Sequence, residues 1–371
     1  MASPVVSIFA SGDYDAQVRR GIEVLRGGGV AVLPTETVYG AAAAIAHPDG
    51  RRRLSALRGE EGRPFTVHLA HPADSEQYLA EVGDYARRIM RKLWPGPVAL
   101  VFDVPEARRK DVAKRWNVAD GDLFDSNEIT LRCPDHIVAS DIIGGVDGPV
   151  ALARSGAPSA GWSPQELAED LGDKADLIFD AGPTRYSKPS TIIKVGSENY
   201  EILRQGVYDE RIIDRLLRTT ILFVCSGNTC RSAMSEGIAR HVLARKLGVG
   251  EGELEKKGMN VMSAGSFAMP GARATPQGVE ALREMGIDLS HHRSKPLTVE
   301  LIHQADMIFT MSRNHAMAVT ALVPAASEKV ATLDPNGDIE DPIGGDTALY
   351  RDLAGRLQTL IERRLQEKTL P

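Results

Sequence analysis

A cysteine, an arginine and a serine stand together in Cys225-Ser226-Gly227-Asn228-Thr229-Cys230-Arg231-Ser232, directly after the apolar run Ile221-Leu222-Phe223-Val224. The Cys-x5-Arg spacing is that of a tight loop between a strand and a helix. Backbone amides of such a loop and of the first helical turn point inward and bind a tetrahedral oxyanion, and the same positive field favours a thiolate. Arg231 would grip two phosphoryl oxygens as a fork. Ser226, Gly227, Asn228, Thr229 and Cys230 would wrap the phosphate between these ends. A lone cysteine is more often a small buried hydrophobe, but strand, Cys-x5-Arg-Ser and helix together point to phosphoryl transfer through sulfur.

Thiolate attack on phosphorus leaves a phosphocysteine and expels a poor leaving group, so a general acid must come from another loop. Asp341-Pro342, ahead of Gly344-Gly345 and the final helix, is the favoured source. Its proline restricts the loop that carries the acid. Asp334-Pro335 is the rival, and before Asn336-Gly337 it reads equally as an ordinary turn. His291-His292 has no carboxylate or thiol at metal-ligand spacing and reads as a solvated turn. No metal site is expected. Arg51-Arg52-Arg53 reads as an exposed helix start.

These residues must be held by a framework, and apolar periodicity outlines one. A helix over 21–26 breaks at Gly27-Gly28-Gly29, and Val30-Ala31-Val32-Leu33 comes next as a buried strand. Further strands are expected at 65–69, 98–102, 129–132, 150–153, 177–180 and 191–195, with helices over 85–93 and 163–171. This mixture predicts an α/β layer domain over the first 205 residues or so. A short amphipathic helix over 209–218 connects it to the second half of the chain, with the boundary near residue 215. The second half contains a strand at 221–224, a helix over 232–247, a strand at 259–263, a helix over 275–285, a strand at 307–310 and a helix over 347–366. Alternating β and α elements imply a parallel sheet covered on both faces, with ligands at the carboxyl edge of the strands, where the Cys225 loop emerges. The expected domains are 1–210 and 219–371.

The chain has 371 residues, 43% hydrophobic and 25% charged, which is ordinary for two soluble domains. A net charge of −6 and a pI near 5.9 demand no nucleic acid, although a local basic groove fits inside an acidic total. Three cysteines, Cys133, Cys225 and Cys230, are too few for a disulfide framework and suit a reducing compartment. No basic n-region precedes a long apolar stretch, and no segment has the length of apolar sequence that spans a bilayer. A cytoplasmic protein without membrane contact is the expectation.

The second half resembles the low-molecular-weight protein-tyrosine phosphatase family. The resemblance is carried by Val224 through Ser232, by Ser263-Ala264-Gly265 and by Asp341-Pro342. It implies a parallel-sheet three-layer domain that needs no cofactor and acts on phosphorylated proteins. Cys225 would be the nucleophile, Arg231 the phosphate clamp, Ser232 a hydroxyl partner to the thiolate, Asn228 the loop support and Asp341 the acid and then the base. Tyrosine-specific members usually carry an aliphatic residue where Thr229 stands, whereas the protein-arginine phosphatase branch carries threonine, so Thr229 points to phosphoarginine. The segment Asp341-Pro342-Ile343-Gly344-Gly345 resembles that branch except at Ile343, where an aromatic is expected. Arsenate reduction uses the same scaffold, but its cysteine relay needs thiols downstream and no cysteine follows Cys230.

The first half resembles the YrdC-like threonylcarbamoyl-adenylate synthases. Pro34-Thr35-Glu36-Thr37-Val38-Tyr39-Gly40, Leu93-Trp94-Pro95-Gly96-Pro97, Leu131-Arg132-Cys133-Pro134-Asp135-His136, Lys188-Pro189-Ser190-Thr191-Ile192-Ile193 and Ile202-Leu203-Arg204-Gln205-Gly206 carry it. Taken alone, the first of these segments reads equally as a turn with capping threonines. The resemblance implies a curved α/β sheet around a basic cavity in which threonine, bicarbonate and ATP, with magnesium, form threonylcarbamoyl-AMP for tRNA modification. Thr35, Arg58, His68, Arg132, Ser155, Ser190 and Arg204 match family positions lining that cavity. Two departures stand out. The family's Lys-x-Arg falls at Arg58-Gly59-Glu60, with Arg63 able to restore the lost charge, and its Ser-x-Asn falls at Ser155-Gly156-Ala157. A carboxylate facing a triphosphate opposes binding, and a missing amide removes fixed hydrogen bonds. The alternative to a working synthase is a nucleotide-, RNA- or partner-binding module derived from one.

Overall fold

The computed structural model describes residues 3–10, 12–59, 62–153 and 164–366. It divides into two compact units, Met1–Leu216 and Leu217–Pro371. Glu60 and the Ser155-Gly156-Ala157 segment lie outside the described residues.

The first unit is organised on a mixed sheet. Its strand order is Val5–Ser7, Leu177–Asp180, Ala31–Leu33, Gly40–Ala44, Val150–Ala153, Val67–His68, Glu128–Arg132, Val98–Asp103, Thr191–Val195 and Tyr200–Arg204, with Phe124–Asp125 beside Glu128–Arg132. The helix expected over 21–26 is longer, Tyr14–Arg26, because the Asp13 carboxylate caps Ala16 N and moves its start forward. It lays Leu25, with Val18 and Ile22, on a core that includes Leu33, Ala42 and Phe179. Gly40–Ala44 is a fully buried strand that apolar periodicity does not reveal. Its Gly-Ala-Ala-Ala-Ala composition is poor in β-forming side chains, and burial between two neighbours overrides propensity. The connecting helix runs Glu210–Leu217.

The second unit holds four parallel strands in the order Met259–Gly265, Thr219–Cys225, Met307–Thr310 and Val330–Thr332. Thr219–Cys225 is buried along its whole length, and its side chains alternate between two cores as a pleated strand requires. Ile221, Phe223 and Cys225 join Met234, Ile238, Leu282, Leu357 and Ile361 on one face. Leu222 and Val224 join Ile302, Val319 and Ala326 on the other. Helices Arg231–Leu247, Pro276–Glu284 and Thr347–Gln366 thus cover one face, and Val299–Gln304 and Arg313–Leu322 the other, giving three layers. Cys225, Gly265, Thr310 and Thr332 end their strands at one carboxyl edge.

Candidate active sites

In the second unit the chain leaves the sheet at Cys225, turns through 226–230 and enters a helix at Arg231. Two polar groups converge on the Cys225 sulfur. Asn228 N–H lies 3.3 Å from Sγ and Ser232 Oγ lies 2.9 Å from it. The loop can make this turn because Asn228 adopts φ 54, a left-handed conformation that Asn tolerates better than most residues. Its amide is pinned from three sides: Nδ2 donates to Ser232 Oγ at 2.9 Å and to Ser263 Oγ at 2.8 Å, and Oδ1 accepts from Lys295 N at 2.8 Å. Ser263 in turn donates to the Glu236 carboxylate at 2.5 Å. The Ser-Ala-Gly segment has a second use at its glycine. A Cβ on Gly265 would come within 2.4 Å of the Ser226 carbonyl oxygen and 2.9 Å of Asn228 N, so only glycine lets the neighbouring strand pass this close.

Arg231 is buried, with Nη1 donating to Ile339 O at 2.9 Å and Nη2 to the Asp341 carboxylate, while Nε has no protein partner among the described residues. Asp341 Oδ1 also stands 3.7 Å from the Cys230 sulfur. Burial, with Cys225 and Asp341 nearby, pushes the Cys230 thiol up to about 11, so it stays protonated at neutral pH. Asp334 is employed elsewhere. It pairs with Arg356 at 2.7 Å and closes a turn on Asn336 N at 2.9 Å, and these contacts hold its carboxyl below the usual range.

The reading of His291-His292 as a solvated turn fails for its second member. The His292 side chain is 6% exposed, and its Nε2 lies 2.7 Å from the Asn228 carbonyl, with Nδ1 4.0 Å from Glu236. The segment folds back beneath the loop because Gly265 N bonds Lys295 O and Leu297 N bonds Gly265 O. Nothing local in the sequence marks that return; His291 alone is exposed. His315, buried on helix Arg313–Leu322, also reaches the loop, with Nε2 2.9 Å from Ser226 Oγ.

In the first unit the sheet register aligns His68, Arg132, Ala99, Ile192 and Arg204 across five adjacent strands. Directly paired residues share a sheet face, so His68 and Arg132 fall in one row, and Arg204 stands at its end, where a register shift between Ile192 and Ile193 interrupts the ladder. Arg204 donates to Ser190 O at 2.9 Å and to Ser190 Oγ at 3.3 Å. Arg132 pairs with Glu36 at 2.9 Å and donates to Thr37 Oγ1 at 2.7 Å, both partners fully buried; Glu36 also accepts from Asp135 N at 3.1 Å. Burial and the adjacent Arg132 push His68 down to about 3, leaving its imidazole neutral. Thr35 is close by but spends its hydroxyl on its own turn, donating to Val38 O at 2.6 Å. Arg58 is directed to backbone: it donates to Pro64 O at 2.8 Å and to Arg63 O, and stacks 4.5 Å over the Phe65 ring. The Glu36 pairing is not legible from the sequence, because its partner lies 96 residues away. Among the described residues no group of three or more His, Cys, Asp or Glu side chains could hold a metal ion, and no helix is long and apolar enough to cross a membrane.

Known proteins match both units. A family model described as low molecular weight phosphotyrosine protein phosphatase matches residues 220–369, and the Sua5/YciO/YrdC model, described as telomere recombination, matches residues 23–206. A protein-arginine-phosphatase of Bacillus subtilis is 38% identical over 148 residues, 38% of this chain and 92% of its own length. A threonylcarbamoyl-AMP synthase of Pyrococcus abyssi is 29% identical over 194 residues, 51% of this chain and 54% of its own length, so this chain spans about half of that relative. An arsenate reductase of Staphylococcus epidermidis is 28% identical over 145 residues, 39% of this chain and 95% of its own. The loop at Cys225 and these matches together place the second unit in the low molecular weight phosphotyrosine protein phosphatase family, joined in one chain to a first unit that the Sua5/YciO/YrdC family model matches.

Proposed function

We propose that residues 219–371 hydrolyse protein phosphoarginine, with phosphotyrosine as the lesser substrate, and that residues 1–210 form threonylcarbamoyl-AMP from threonine, bicarbonate and ATP. The observation that carries the first half of this reading is the convergence of Asn228 N and Ser232 Oγ on the Cys225 sulfur. The sulfur attacks phosphorus as an S–P bond forms and the P–N bond of phosphoarginine breaks. Asp341 gives its proton to the departing guanidine nitrogen. Water then attacks phosphorus, Asp341 takes back a proton, and orthophosphate leaves with the thiolate restored. Arg231 and the loop amides hold the charge that spreads over the phosphoryl oxygens in both steps.

Thr229 supports phosphoarginine, since a hydroxyl tolerates a charged guanidinium better than a branched alkyl does. Purified chain should therefore cleave phosphoarginine peptides faster than phosphotyrosine peptides, and Cys225→Ser should abolish both. A preference for phosphotyrosine would defeat the Thr229 argument. The arsenate-reductase reading has less behind it, because no cysteine follows Cys230 to relay the oxidation.

For the first unit, the row of His68, Arg132 and Arg204 supports a polar cavity facing an anionic nucleotide. The Arg132 Nε has no protein partner among the described residues and is a donor such a ligand would satisfy. Magnesium would arrive on the phosphates rather than in a protein cage, and tRNA would be served through the product. One observation favours a binding module instead: the Arg58 guanidinium is committed to Pro64 and Arg63 carbonyls and to Phe65. Pyrophosphate release by the Cys225→Ser chain separates the two. Release that requires threonine, bicarbonate and ATP together establishes the synthase; none, with ATP still bound, leaves the module.

A further inference from the structure

His315 takes no part in the chemistry above, yet it is 6% exposed and touches the phosphate loop. Its Nε2 lies 2.9 Å from Ser226 Oγ and its Nδ1 2.8 Å from Ser312 Oγ. Ser312 caps helix Arg313–Leu322 and accepts from His315 N at 3.4 Å. The backbone contact takes one lone pair of that oxygen, and the hydroxyl hydrogen can be directed at Nδ1. An imidazole accepting at Nδ1 carries its hydrogen on Nε2 and donates it to Ser226. Burial and the Arg231 charge keep the ring neutral, opposed by the weaker influence of Asp341 and Asp338. The Ser226 hydroxyl hydrogen must then point away from His315, and Ser226 Oγ has no second protein partner among the described residues. The backbone is fixed on both sides of it, with Ser266 N bonding Cys225 O at 2.9 Å and Phe267 N bonding Ser226 O at 3.0 Å. Ser226 directly follows Cys225, in the loop that would hold the substrate phosphoryl group.

We propose that His315 is a positioning residue of the phosphatase site, which through Nε2–H turns the Ser226 hydroxyl into a donor to the phosphoryl group. A bound anion reinforces this polarity. Negative charge at the loop draws the Ser226 hydrogen toward itself, which leaves the oxygen lone pair to His315 and places the Ser312 hydrogen on Nδ1. The relay thus supplies one more hydrogen bond to the oxyanion without adding a charge.

This inference rests on the phosphatase reading. The test is a double-mutant cycle on the full chain, with orthophosphate as competitive inhibitor of aryl phosphate hydrolysis. Ser226→Ala and His315→Ala should each weaken orthophosphate inhibition about tenfold, the worth of one hydrogen bond to a charged group. The double variant should be no worse than either single one, because both remove the same bond. His315→Gln, which places an amide N–H near the Nε2 position, should recover most of the loss. Additive losses, or a lowered unfolding midpoint with orthophosphate inhibition unchanged, would overturn the proposal; Ser226→Ala keeps it testable should His315→Ala fold poorly. A wild-type chain that hydrolyses no phosphate compound would instead sink the phosphatase reading itself.

Discussion

The phosphate loop of the second unit is drawn from consecutive residues, 225–232, whereas the row of the first unit gathers His68, Arg132 and Arg204 from separate strands and seats Arg132 on a carboxylate 96 residues away. In the loop, chemistry and backbone geometry are set by the same short segment. In the row, each side chain is ordinary alone and gains its neighbours only when the sheet closes. The loop should therefore lose turnover sharply and locally when a single group is changed. The row should register loss of Arg132 first as lost stability, because Arg132 and Glu36 are buried against one another.

Asp341 gives the largest expected effect on the loop side. Asp341→Asn removes the proposed proton donor and should cut kcat for phosphoarginine by about 10²- to 10⁴-fold. Asp334→Asn disturbs a turn and an ion pair with Arg356 and should show itself in the unfolding midpoint instead. Similar losses of kcat in the two variants would mean that Asp341 is not the acid.

Arg132→Met sharpens the other side. It leaves the Glu36 carboxylate buried without its counter-charge, a loss of about 3–5 kcal/mol for a broken buried pair. All three tryptophans, Trp94, Trp116 and Trp162, belong to the first unit, so their fluorescence in denaturant reports that unit alone. The expected outcome is an earlier fluorescence transition with phosphatase kcat unchanged. Adding Glu36→Gln should return most of the stability. A transition that stays in place would show that the pair contributes nothing net.

The same contrast explains which elements are legible in the sequence. The strands at 177–180, 191–195 and 307–310 and the final helix can be read because apolar pattern and turn residues mark them locally, as they mark the Cys225 loop. Gly40–Ala44 cannot, for alanines carry no strand signal. Val330–Thr332, only partly buried, is too short to show a period. Of the groups that support the loop, Ser263 stands beside a recognisable glycine. His292 and His315 reach it only through parallel pairing of distant backbone, at Gly265 for the one and between Met307–Thr310 and Thr219–Cys225 for the other, and no spacing in the sequence encodes those contacts. Glu36 is visible as part of a polar segment, but its bond to Arg132 belongs to tertiary structure.

Asn228 is where the local character of the loop can be tested most finely. It combines a left-handed backbone, φ 54, with a side chain that supplies two donors and one acceptor. Asn228→Gly keeps the backbone free to turn and deletes all three bonds; Asn228→Ala deletes them and adds the left-handed penalty, about 1 kcal/mol. Both variants leave Lys295 N without its acceptor, so both should be destabilised. Alanine should be worse by about that amount, or roughly fivefold in the folded equilibrium, with a matching fall in the fraction of loop able to present Asn228 N–H to Cys225. Asn228→Asp tolerates the same backbone and keeps the acceptor for Lys295, but it loses the donors to Ser232 and Ser263 and buries a carboxylate near Glu236, so it should be destabilised as well as slow. If glycine and alanine prove equal, the surrounding contacts at Gly265, Thr275 and His292 impose the turn, and the loop is less self-contained than its sequence suggests.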